Sequence, residues 1–230
     1  VHVGQETLDT LGAAQRLNRW LFEQIREGLG DRVLEIGSGV GNMTQFLLSK
    51  KLVVASDIDA RHLERLRRRF VEGERLRVMH VDAARIDPDQ LRPLGIDTVM
   101  GLNVLEHVED DGAALARMHA LLPPEGRLAL LVPALPSLFS SLDRSLDHHR
   151  RYSRKDLEAK LQRAGFQVES LRYFNVPGIL GWWLNGRILK RRALPGNQVR
   201  LFDLLVPLFR LEQRFGPPFG LSLIAIARKP

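Results

Sequence analysis

The 230-residue chain has no cysteine, so neither a disulfide nor a thiolate metal site can form, and a reducing interior is compatible with that absence. It also lacks an uninterrupted apolar run of the about 18 residues that a membrane-spanning helix needs, and no charged-then-apolar signal segment opens it. A cytoplasmic location is expected, with room for peripheral contact at the inner face of the membrane. Opening on Val1 rather than Met leaves space for an upstream leader or domain. No internal repeat or low-complexity tract occurs. What remains is ordinary for one soluble globular domain spanning 1–230: 44% hydrophobic and 27% charged residues. Against 27 Asp+Glu stand 34 Lys+Arg, a formal charge of +7, which favours an acidic substrate, nucleic acid or an anionic membrane surface as partner.

Hydrophobic periodicity organises the chain. Leu8, Leu11, Leu17, Trp20, Leu21 and Ile25 recur at helical spacing from Thr7 until Gly28 and Gly30, which predicts an N-terminal helix. Short apolar runs then alternate with helical patterns. RVLEIG (32–37), LVVASD (52–57), LRVMHVD (76–82), IDTVMGLN (96–103) and RLALLVP (127–133) read as strands. GNMTQFLLSK, ARHLERLRRRF and DGAALARMHALL read as the helices between them. Such alternation predicts a doubly wound, mostly parallel α/β sheet covered on both faces. Ser153 caps a further helix that Gly165 ends, and VESLRYF and LSLIAIARK supply a sixth and a seventh strand. Between those strands lies an apolar, arginine-edged insertion at 176–219.

The sharpest motif is LEIGSGVGN (34–42), set between a strand and a helix. Glycines 37, 39 and 41 permit a tight turn and close approach of a ligand to the backbone. A dinucleotide fingerprint requires its third glycine where this chain has Asn42, so the spacing leans away from NAD. Asp57, Asp82 and Asn103 end the second, third and fourth strands, where ligands of open α/β sheets bind, and a carboxylate at Asp57 can accept from ribose hydroxyls. Each residue alone could be a turn or helix cap. Three beside one glycine loop favour a ligand.

This ordered series resembles the class I S-adenosylmethionine-dependent methyltransferases over Val33–Pro133: VLEIGSGVGNMT, VVASDIDA, VDAARI, DTVMGLNVLEH and LLPPEGRLALLVP match that family's successive motifs. The resemblance implies a Rossmann-like fold and S-adenosyl-L-methionine as cofactor. It places Glu35, Gly37, Ser38 and Gly39 at the methionine end with Asn42 closing the same loop, Asp57 on ribose, Ile58 against adenine, Asp82 and Ala83 at the adenine edge, and Asn103 near the sulfonium. PPEG at 123–126 stands where many members have PGG, a change in a turn away from the cofactor. LDRSLDHHRRYS and NVPGILGWWLNGRIL are further similar to a bacterial subgroup, some members of which are joined to glycosyltransferase domains, so a glycosyltransferase partner is an expectation. That subgroup commonly has Gly where this chain has Asp147.

Methyl transfer to oxygen or nitrogen needs a base with a pKa near neutrality. His148 and His149, on the loop after the fifth strand, are the candidate catalytic residues, with His107 as another base or a support for its helix. Arg150, Arg151 and Tyr152 are candidate substrate-binding residues, although the arginines could instead pair with Asp143, Asp147 or Asp156. No metal is expected, because no compact carboxylate–histidine set at ligand spacing accompanies the histidine pair. RHLERLRRRF reads as a solvated helix face rather than a nucleic-acid patch. Trp182, Trp183, Leu184, Ile188 and Leu189 form a helical lid, a core element, or, rimmed by Lys190, Arg191 and Arg192, a face resting on anionic membrane. The function expected is methyl transfer to a small-molecule or lipid-linked acceptor, at oxygen. RNA or protein methylation is the alternative, disfavoured by NVLEH in place of an NPPY-type motif, and a non-catalytic cofactor-binding partner domain is the third reading.

Overall fold

The computed structural model describes residues 9–230, so the expected helix start at Thr7 and Leu8 lies outside the described residues. Helix α1 (Gln15–Ile25) leads into strand β1 (Arg32–Ile36). There follow α2 (Thr44–Leu47), β2 (Leu52–Asp57), α3 (Ala60–Arg69), β3 (Leu76–His80), α4 (Pro88–Leu91), β4 (Thr98–Leu102), α5 (Asp111–Leu121) and β5 (Arg127–Pro133). Then come α6 (Ser141–Ser145), α7 (Arg154–Arg163), β6 (Gln167–Phe174), α8 (Gly178–Trp183), α9 (Gly196–Phe209) and β7 (Ser222–Arg228).

The seven strands form one sheet in the order β3-β2-β1-β4-β5-β7-β6. β3 to β5 are parallel, and β7 runs antiparallel between β5 and β6. All six residues of β2 are buried, which is why it reads as a continuous apolar run rather than an alternating one. One face packs under α5 and α7 through Leu115, Met118, Leu157 and Leu161. The other packs under α1, α3 and α9 through Trp20, Leu63, Leu66 and Val206, with the Trp20 ring 4.4 Å from that of Phe174. Strand order reverses between β1 and β4, and the crevice at their carboxyl ends is where such sheets take ligands.

Local chemistry sets the helix ends. Asp59 caps α3 by accepting from the Arg61 amide, while Arg67, Arg68 and Arg69 sit in its last turn, where cations complement the helix dipole. Only Leu63 and Leu66 of α3 are buried, so its arginine run is a solvated face, as its pattern predicts. Ser153 accepts from the Asp156 amide to cap α7, and Gly165 ends that helix at φ +96°. The expected helix over GNMTQFLLSK is shorter than its pattern: residues 39–43 are turns that close the glycine loop, and regular helix begins at Thr44.

The insertion folds as α8, a π-helical turn over Leu184–Ile188, and α9. Helix α9 has two apolar faces. Val199 and Val206 are buried with Phe202 and Phe209 packed beside them, whereas Leu201, Leu204, Leu205 and Leu208 are exposed at helical spacing. The Leu17 amide donates to Asp203 Oδ1 at 2.8 Å and fixes α9 onto α1.

Candidate active site

The glycine loop leaves β1 with Gly37, Gly39 and Gly41 at φ of +70°, +55° and +83°, a backbone course that L side chains rarely follow. At Gly37 the restriction is also steric, since a Cβ there would lie 2.5 Å from Val104 Cγ2 on the loop after β4. The loop is tied to β2: the Ser38 amide donates to the Ser56 carbonyl at 2.8 Å, and the Ser56 amide donates to Ser38 Oγ at 3.0 Å. Below it, the buried Glu35 accepts from Thr44 Oγ1 at 2.6 Å. Burial pushes the Glu35 carboxyl up to about 7 against the pull of its Thr44 and Ser38 hydrogen bonds.

Asp57 closes the same corner. Oδ2 accepts from the Gly39 amide at 2.8 Å, while Oδ1 accepts from the Asp59 amide at 2.9 Å and meets His62 Nδ1 at 3.2 Å. Burial works to raise its pKa, but these donors, His62 foremost, hold the carboxyl below the usual range, so it is anionic at neutral pH. A carboxylate offers about four acceptor positions, so three are used and room remains for a hydroxyl. Beside it Ile58 stands 61% exposed, a flat apolar surface that a buried core position would not leave open. Half-buried Asp82 and buried Ala83 cap the end of β3, and Asn103, at φ +53°, ends β4 with its amide donating to the Leu131 carbonyl. The glycine cradle, ribose-type acceptor and apolar shelf suit the chemistry of S-adenosylmethionine. Asn42 lies half-buried in the turn that completes the loop. A surface hollow of about 620 Å³ lined by Leu48, Phe70, Val71 and Leu76 lies at the opposite, amino ends of β2 and β3 and is separate from this corner.

In the loop after β5, the pairing with Asp143 that the sequence left open for the arginines is the one Arg151 takes. Arg151 does not face an acceptor: its side chain is fully buried, with Nε donating to Asp143 Oδ1 at 2.7 Å and an Nη to the Ala134 carbonyl at 2.8 Å, and it lies 4.7 Å from the Trp182 ring centroid. Tyr152 is likewise buried, donating from its hydroxyl toward Asp111 Oδ2 at 2.8 Å, and burial together with Asp111 pushes its phenol far up. Arg150 pairs with Asp111 at 2.9 Å and donates to the Glu109 carbonyl. The physical reason is common to all three. Arg150 and Tyr152 fasten the loop to the segment after β4 through Asp111, Arg151 fastens it to α6 and the end of β5, and the buried carboxylates of Asp111 and Asp143 are satisfied thereby.

The histidines do reach the mouth between β4 and β5. His149 is exposed, and its amide donates to the Glu106 carbonyl at 2.9 Å. His148 is largely buried, with Nδ1 3.2 Å from Asp143 Oδ1 and its ring edge-to-face with His107 at 4.7 Å. The loops packed around its ring and the neighbouring His148 press His107 down to about 4, so it is neutral at pH 7 although part of the residue stays open to solvent. Glu106 carries no signal in the sequence beyond its place in NVLEH, yet it is fully buried. Neither of its carboxylate oxygens has a hydrogen-bond partner, and burial pushes it up to about 8. Glu106, His107 and His148 offer ligand atoms within 4.8 Å of one another, which corrects the expectation that no compact carboxylate–histidine set exists. Its members come from loops some 40 residues apart that only the β4–β5 pairing brings together.

Residues 34–128 match the family model described as a methyltransferase domain. An uncharacterized methyltransferase of Mycobacterium tuberculosis is 36% identical over 111 residues, covering 48% of this chain and 54% of that protein, so the chain spans about half the length of the curated relatives it matches. A Thermotoga maritima structure titled a SAM-dependent methyltransferase, possible histamine N-methyltransferase, aligns with TM-score 0.64 at 16% identity over 100% of this chain and 99% of its own. Magnesium protoporphyrin IX methyltransferase of Synechocystis, with S-adenosylhomocysteine bound, aligns with TM-score 0.59 at 18% identity over 96% of this chain and 84% of its own. The matched segment carries the glycine loop, Asp57 and Asp82, and the sheet around it has the same fold as these structures. Over residues 34–128 the chain therefore matches a methyltransferase domain, and its sheet has the fold of the aligned S-adenosylmethionine-dependent methyltransferase structures.

Proposed function

We propose that this domain moves the methyl group of S-adenosylmethionine to an oxygen of a small-molecule or lipid-linked acceptor. Glu35, Gly37, Ser38 and Gly39 would hold the methionine end, Asp57 the ribose, Ile58, Asp82 and Ala83 the adenine, and Asn103 the region of the sulfonium. The bound cofactor supplies an electrophilic methyl carbon; the chain's part is to hold the acceptor in line with it, exclude water and take up a proton. The observation that carries the reading is the edge-to-face His107–His148 pair, with the exposed His149 tied through its amide to the Glu106 carbonyl, on the loop that follows Asn103 and β4. His149 is the group free to accept a proton from a hydroxyl, while His148 is oriented by Asp143 and acts as a positioning residue. Radiolabelled methyl transfer into a fractionated extract tests the acceptor class. Label is expected in the lipid or polar small-molecule fraction, and label confined to RNA or protein overturns it.

The lipid-linked version is favoured by the exposed Leu201, Leu204, Leu205 and Leu208 stripe on α9, with Ile188 and Leu189 exposed nearby and Arg187, Lys190, Arg191 and Arg192 exposed beside them. An apolar face rimmed by cations suits an anionic bilayer surface. No helix among the described residues is long and apolar enough to cross a membrane. Trp182 joins the insertion to the active-site loop, its indole donating to Asp143 Oδ2 at 3.1 Å, which supports a lid role for 176–219. Co-sedimentation with vesicles containing anionic lipid is expected and should weaken with salt; no binding at low salt refutes the membrane version. A glycosyltransferase partner rests only on the resemblance of the LDRSLDHHRRYS region.

A further inference from the structure

We propose that Glu106, His107 and His148 bind one divalent transition-metal ion at the mouth of the active site. The three donors are a carboxylate and two imidazoles, a set that suits zinc, manganese, iron or cobalt better than magnesium or calcium. Glu106 Oε1 and His148 Nε2 are 4.0 Å apart, against roughly 3.3 Å between donors around a tetrahedral zinc-sized ion, so small side-chain adjustments close the site. Two independent features point to a ligand rather than to chance proximity.

The first is Glu106 itself. It is fully buried with neither carboxylate oxygen hydrogen-bonded, a costly state that an ion would relieve. Arg151, also in this core, donates to Asp143 and Ala134; its other Nη is buried without a partner, and although its charge favours the Glu106 carboxylate it does not form a hydrogen bond with it. The second is the outer shell. Imidazoles that ligate metals almost always donate their other N–H to a carboxylate or carbonyl, which fixes the tautomer. His148 Nδ1 faces Asp143 Oδ1, leaving Nε2 toward Glu106, and His107 bonds the backbone of Asp147. Asp147 adopts φ +58°, the left-handed conformation for which glycine is the easier residue. His107 is exposed, so coordination positions on its side remain open to water or an acceptor.

The ion's work rests on the methyltransferase reading. An acceptor hydroxyl bound to it becomes more acidic and is held in place. Its proton passes to His149 or water, the oxygen–carbon bond forms as the carbon–sulfur bond breaks, and the electron pair returns to sulfur, giving a neutral thioether.

The test uses the full chain, stripped with chelator and titrated with Co²⁺, followed by visible absorption and by elemental analysis after dialysis. One equivalent with ligand-field bands is expected, and His107→Asn and Glu106→Gln should each weaken binding by about tenfold or more. S-adenosylmethionine binding, measured on the same samples by calorimetry, should survive in both variants, which separates metal loss from unfolding or from failure of the cofactor assignment. Substoichiometric Co²⁺ without bands in the wild type overturns the site, as does undiminished Co²⁺ binding in both variants. If Co²⁺ binds but chelator leaves methyl transfer unchanged, the acceptor role is overturned.

Discussion

Replacing Asp57 with alanine is expected to lower the affinity for S-adenosylmethionine by about 100-fold, roughly 2.7 kcal/mol, as measured by calorimetry. Hydrogen bonds to a charged acceptor contribute about 1.5–3 kcal/mol each, and Asp57 would supply that acceptor to the ribose. It also accepts from the Gly39 and Asp59 amides, so the variant loosens the glycine loop at the same time. Both effects weaken binding, and thermal unfolding with and without cofactor separates them. A variant that melts close to the wild type yet shows no cofactor-dependent rise in Tm has lost the ribose contact alone. The depressed pKa of Asp57 keeps it ionised at neutral pH, so the result should hold at pH 7 and pH 8 alike. Undiminished affinity in a folded Asp57→Ala protein would refute the cofactor assignment.

The parts of this corner that are legible in the sequence are those where backbone chemistry is local. Glycines 37, 39 and 41 announce a turn because each adopts positive φ, and Asp57 and Asp82 mark where the short apolar runs of β2, fully buried, and β3, buried on alternate residues at the sheet edge, give way to polar residues. The strand positions follow from the same apolar runs. Sheet order does not: nothing in LSLIAIARK marks β7 as antiparallel between β5 and β6, since a fully covered strand has the same composition in either direction.

Side-chain direction in the DHHRRYS loop is the part that is not legible. Arg150 and Arg151 are adjacent and chemically identical, yet one side chain is fully buried against Asp143 and the other, partly exposed, reaches the buried Asp111 at the start of α5. The loop is irregular, so neither a period of 2 nor of 3.6 assigns its residues to faces. Glu106 is hidden for a related reason: a glutamate four residues past a strand reads as solvated, and only the return of the β5 loop over it makes the position buried. The candidate metal donors were therefore visible as residues but not as a set.

The buried Asp143–Arg151 pair gives the largest expected stability effect. Asp143 is fully buried and accepts from Arg151 Nε, the Ser140 amide and hydroxyl, and the Trp182 indole, with His148 Nδ1 at 3.2 Å. Asp143→Ala leaves the guanidinium of Arg151 without its counter-charge, and breaking a buried pair in this way costs about 3–5 kcal/mol, to be read from urea unfolding at pH 7. Arg151→Met in the same background removes the stranded charge, so the double variant should recover part of the loss, with a coupling of about 0.5–3 kcal/mol. The pH dependence has a definite sign. Burial raises the Asp143 carboxyl, but His148, Arg151 and Trp182 outweigh it and hold the group at about 2, below its value in the unfolded chain. Its contribution, on the order of 2 kcal/mol, is therefore present above pH 4 and lost as pH falls through 2, and the Asp143→Ala protein should lack that acid-side slope. Because the same carboxylate orients His148 and anchors Trp182 of the insertion, the variant should also lose methyl transfer in excess of any unfolding at 25 °C. A folded variant with wild-type turnover would mean that the loop and the insertion hold their places without it.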